Sequence, residues 1–111
     1  MHSFRIILVV LWVTLSLYTC FVIMNQGLNL LPIFFGDILK LGWPGQFNLD
    51  FLCLLILSAL WVAWRHNFSP GGLGLAVLAL IGGASFLTVY LFVLSFQKKG
   101  NVRAMLLGKR E

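Results

Sequence analysis

The sequence predicts an all-α fold: a membrane bundle of three transmembrane helices, with a short interfacial helix between the first and the second. Three apolar runs carry this reading, at about 4–24, 47–64 and 72–97. Each is close to the roughly 20 residues with which a helix crosses a bilayer. Composition points the same way. Hydrophobic residues make up 60% of the chain and charged residues 10%, with a mean hydropathy of +0.98, which leaves too little polar surface to wet a soluble globule. The 111 residues are read as one membrane domain. A bundle of this size encloses little interior, so an enzyme cavity is not expected.

The first run follows a basic start at Arg5, as a signal peptide would, but it is too long and no small-x-small cleavage site follows it. A lipoprotein site at Cys20 would need a small residue before the cysteine and would tolerate Tyr18 poorly. Cys20 and Cys53 are read as small hydrophobes inside helices, with no CxxC and no nearby His to make a metal or redox site. Asn25, Gln26 and Gly27 end the first helix at the membrane boundary. Residues 28–41 are apolar but short, and contain Pro32, Gly36, Asp37 and Lys40. Asp37 and Lys40 share a face with Gly36, while Leu28, Leu31, Phe35, Ile38 and Leu39 fall opposite, which suits a helix lying on the membrane.

Trp43, Pro44, Gly45 and Gln46 read as a turn at headgroup level, after which Asn48 caps the second helix and Asp50 sits in its first turn. Trp61 and Trp64 mark the other surface. Ser69, Pro70, Gly71 and Gly72 form a tight connector. The third run exceeds a minimal span, so it is expected to tilt or project at Gln97. No proline interrupts a span, so the broken helices of many transporters are not expected. The tail, 98–111, carries Lys98, Lys99, Arg103, Lys109 and Arg110, five of the eight Lys and Arg residues. By the positive-inside bias, three crossings put the carboxyl terminus in the cytoplasm and the amino terminus outside. Were 28–41 to cross as well, both termini would be cytoplasmic.

Four residues are candidates for a ligand site. Asp50 is the acidic group within reach of a span, and with Trp61, Trp64 and Tyr90 it can wall a pocket for a lipophilic or cationic ligand. Thr14, Ser16, Ser85, Thr88 or Tyr90 are polar groups it can face. The plainer reading keeps Asp50 wet at the interface, complementing the helix dipole. Arg65 and His66 read as surface cations at a helix end. Ala76, Ala79, Gly82 and Gly83 form a small-residue stripe for close helix packing, within the monomer or between copies. The basic tail fixes topology or meets anionic headgroups. No phosphate loop, HExxH, GxSxG or catalytic carboxylate pair is present. No cofactor, metal or nucleic acid is expected.

The order of parts resembles small bacterial integral-membrane protein families of unknown function. The resemblance rests on GLNLLPIFFGDIL, FNLDF with its Asp50, WVAWR, Gly82 and Gly83, YLFVLS and KKGNVRAMLLGKR. In those families a similar Asp opens the second span and a similar tail, a glycine followed by LLG-x-R, recurs. They often have Glu after the aromatic exit of that span, where this chain has Arg65, so a role tied to that acid does not transfer. The expected function is a non-enzymatic accessory or assembly subunit of a membrane complex, or a homo-oligomer, with membrane lipids and a protein or second copy as partners. The alternative is a binder or carrier of a small lipophilic or cationic ligand.

Overall fold

A computed structural model describes residues 1–110. The described residues form an all-α bundle: α1 (His2–Gln26), α2 (Leu30–Leu39), α3 (Trp43–Arg65), α4 (Pro70–Gln97) and α5 (Val102–Leu107), closed by a 3-10 turn at Gly108–Arg110. Of these, α1, α3 and α4 are long and apolar enough to cross a membrane.

The second long helix begins ahead of its apolar run. Pro44 lies in its first turn, where a missing N–H costs no hydrogen bond and the fixed φ suits a helix start. The expected turn at 43–46 is therefore helical. Gly42 is the N-cap, Asn48 is inside the helix, and Asp50 stands in its third turn instead of its first. Asn48 bonds across to the neighbouring helix instead of capping its own, since its Nδ2 donates to the Phe34 carbonyl at 3.1 Å. With Gly45 buried against Asp37 and Ile38, that bond seats the ten-residue α2 antiparallel along the first turns of α3.

The third long helix folds back on itself. It starts at Ser69, whose Oγ accepts from the Gly72 N–H at 3.2 Å. At Gly83 the backbone turns to φ 56° and ψ −135°, a conformation that glycine alone adopts freely. A Cβ at that position would also stand 3.0 Å from the Phe51 ring. Gly72 packs against the His66 side chain, and the same imidazole bonds the Tyr90 hydroxyl. A straight helix would hold Gly72 and Tyr90 about 27 Å apart at its rise per residue. Residues 70–82 thus run antiparallel to α3 and residues 84–97 return beside it. The expected tilt or projection at Gln97 is replaced by this bend, and the break comes at a glycine, without proline.

The packed centre lies between α3 and the first arm of α4, where Val62, Ala63, Ala76 and Ala79 are buried together under Trp61, Phe86 and Tyr90. Small side chains let the backbones approach, and dispersion contacts then hold them. The second arm takes α1 on its other side. Leu8, Trp12 and Val13 face Thr88, Val89 and Phe92. Arg5 clasps the fully buried Ser95, donating from Nε to its hydroxyl and from Nη2 to its carbonyl, both at 2.9 Å. The guanidinium also sits 3.9 Å from the Phe96 ring centroid.

This arrangement gathers the start of α1, the end of α3, both ends of α4, and α5 at one end of the bundle. Met1 lies against Gly100 there. The termini therefore share an end, contrary to the expectation of opposite faces, because that count took α4 as a straight crossing. The other end is made by α2 and the start of α3.

Candidate functional site: a buried arginine that holds the carboxyl-terminal helix

Arg65, expected at the surface, is 2% exposed. It ends α3, and its guanidinium points into the last turn of α5. Nε donates to the Met105 carbonyl at 2.7 Å and Nη2 to the Ala104 carbonyl at 3.2 Å. Trp61 Nε1 donates to the next carbonyl, Leu106, at 3.0 Å. The Ala104 carbonyl already accepts from the Gly108 N–H, whereas the last carbonyls of a helix generally lack intrahelical partners and carry its partial negative charge. A planar fork of donors satisfies them as a point-charge amine cannot. Asn101 Oδ1 caps the other end of α5 by accepting from the Ala104 N–H at 3.2 Å. Gly108, at φ 54°, releases the chain where any Cβ would collide with the Arg65 carbonyl.

The clasp is reciprocal. Arg110 Nε donates to the Trp64 carbonyl in the last turn of α3 at 2.7 Å, and its guanidinium lies 4.9 Å from the Trp64 ring centroid. One arginine from each side of the contact thus caps the helix end of the other.

Arg65 Nη1 makes a second set of contacts. It donates to Tyr90 Oη at 2.8 Å and reaches His66 Nε2 at 3.1 Å, while Nε2 and Oη are 2.6 Å apart. Arginine has no acceptor, so Nε2 must accept, which fixes a neutral imidazole protonated at Nδ1. Burial, then the nearby charges of Arg65, Lys109 and Lys98, hold the His66 pKa below its usual value, in keeping with that state.

The candidate residues named from the sequence separate in the fold. Trp61 and Tyr90 meet edge to face, ring centroids 6.0 Å apart. Trp64 lies under Arg110 instead. Asp50 is exposed on α3, about 16 Å of helical rise from Trp61. Thr88, one of its candidate partners, gives its hydroxyl to the Ala84 carbonyl at 2.7 Å. Of the small-residue stripe, Ala76, Ala79 and Gly83 are buried and Gly82 is half-buried. Lys98, Lys99, Arg103, Lys109 and Arg110 are exposed, as are Cys20 and Cys53. Among the described residues no group of His, Cys, Asp or Glu could hold a metal ion.

The tail, read as a run of spread charges, is therefore a docked helix. Its signal was legible in part: Ala104, Met105, Leu106 and Leu107 followed by Gly108 form an apolar stretch with a helix stop. Comparison with protein-family models, curated proteins and solved structures gave no match.

Proposed function

We propose that this protein is a non-enzymatic membrane subunit that acts through helix contacts, as an accessory or assembly component of a membrane complex or as a self-associating copy. The observation that supports this reading most is Asp50. It stands exposed in the third turn of α3 among Phe47, Leu49, Phe51 and Leu54, themselves 45% exposed or more. A carboxylate on an apolar membrane face is costly unless a polar group meets it. A donor on a partner helix supplies that group. The outer face of α1, including Tyr18, Phe21 and Met24, is bare in the same way.

The membrane placement follows from charge. Arg5, Arg65, Lys98, Lys99, Arg103, Lys109 and Arg110 all belong to the end that holds both termini, leaving Lys40 at the other. The positive-inside bias then puts both termini in the cytoplasm, with α1 and α3 crossing and α4 entering and returning as a hairpin. Backbone breaks at membrane depth are tolerated where protein covers them, and Gly83 is buried against α3. In a bacterium, as the resemblance implies, the membrane is the inner one. The ligand-carrier alternative built on Asp50, Trp61, Trp64 and Tyr90 draws no support from their placement, since the four do not converge.

Native mass spectrometry of the protein extracted gently from its own membrane tests the proposal. A defined complex is expected, and Asp50→Asn should release the partner while leaving the monomer folded. A strictly monomeric protein, with or without Asp50, would refute it.

A further inference from the structure

Between the two arms of α4 runs a groove of about 430 Å³ whose ends differ in chemistry. Leu75, Phe86 and Val93 wall one part, and Arg65, His66 and Lys98 form the other. Among the described residues no carboxylate lies at the polar mouth, which is positive. Arg65 spends its donors on carbonyls, a hydroxyl and an imidazole, all neutral. Lys98 and Lys109 both act electrostatically on His66. Among the described residues the carboxylates, Asp37 and Asp50, belong to α2 and the early turns of α3 at the opposite end. Gathering a buried guanidinium and the Lys98 ammonium at one mouth is costly, and an anion there offsets that cost. The apolar walls are open to the side, since Val89 and Val93 are 47% and 44% exposed.

We propose that this groove holds one anionic phospholipid, its phosphate at the Lys98 mouth and an acyl chain between the arms of α4. Cationic pockets between membrane helices on the basic side suit anionic headgroups. The hydrocarbon walls leading away from the mouth distinguish a lipid from a free anion, for which they offer nothing. The site depends on this end lying at headgroup level, as proposed above, but not on any protein partner.

The test is native mass spectrometry of the full chain in micelles containing equal phosphatidylglycerol and phosphatidylcholine. The wild type should retain one phosphatidylglycerol in preference to phosphatidylcholine. Lys98→Gln, an exposed change that leaves the fold alone, should weaken retention about fivefold, the effect of one basic residue near a headgroup, and Lys98→Arg should keep it. Val93→Trp, filling the groove, should exclude the lipid while circular dichroism remains that of the wild type. Equal retention of both lipids, or full retention in Lys98→Gln and Val93→Trp, overturns the proposal. Displacement of the lipid by inorganic phosphate with Val93→Trp silent also overturns it and assigns a free-anion site. Protein partners register as separate masses, so loss of the lipid and loss of a partner are distinguishable.

Discussion

Arg65 brings a charge into a place with 2% exposure, and its hydrogen-bond partners Ala104, Met105, His66 and Tyr90 share the cost. Arg65→Met keeps the packing volume but strips the Ala104 and Met105 carbonyls of their side-chain donors, so the tail should undock, lowering stability by about 2 kcal/mol. Limited trypsin digestion reads this as faster cleavage at Lys99 and Arg103. Arg65→Lys should rescue little, because one ammonium cannot span two carbonyls and a hydroxyl. His66 adds a pH dependence. Its pKa in the fold lies below the usual value near 6.5, so as pH falls through 6.5 the unfolded chain takes a proton that the folded one resists. Stability is therefore full above that value and declines as pH falls below it, until the folded pKa is reached. Thermal unfolding from about pH 7.5 to about pH 5.5 should show this loss, and His66→Gln should flatten it. None of this was legible at Arg65 from sequence. A cation at a helix end is usually a solvated one, and only the distant tail, 40 residues on, buries it.

At the scale of elements, hydrophobic runs announced α1, α3 and α4, and residue patterns placed the short α2 between them. What they could not announce was where α3 starts and where α4 turns. Pro44 signals a turn or a first helical turn with equal force, and the choice depends on α2 lying against it. Gly82 and Gly83 were legible as close-packing residues, yet the same small side chains serve a bend, and one positive φ decides which. Gly83→Ala should be harmful where a glycine inside a straight helix would be relieved by alanine. Strain at this backbone position costs of order 1–3 kcal/mol, and the new Cβ presses on Phe51. Chemical denaturation of Gly83→Ala beside Gly74→Ala, whose Cβ meets open space, checks the sign: the first should lose stability and the second should not.

For the whole molecule, the fold-back of α4 governs everything else. It returns Tyr90 and Lys98 to the end of α3, docks α5 there, and brings Met1 against Gly100. It also converts an uneven split of basic residues into a nearly complete one, with Lys40 alone at the far end. Charge counting from sequence took α4 as straight, and a rule about sides depends on how many times the chain crosses. The most direct test is the sidedness of the two termini in sealed, oriented membrane vesicles. Single cysteines replace His2 or Lys99 in a chain whose Cys20 and Cys53 have been changed to alanine, and each is labelled with an impermeant maleimide. Both positions should label from the same, cytoplasmic side. Labelling of the two from opposite sides would mean that α4 crosses the membrane in one pass, and would contradict the fold-back.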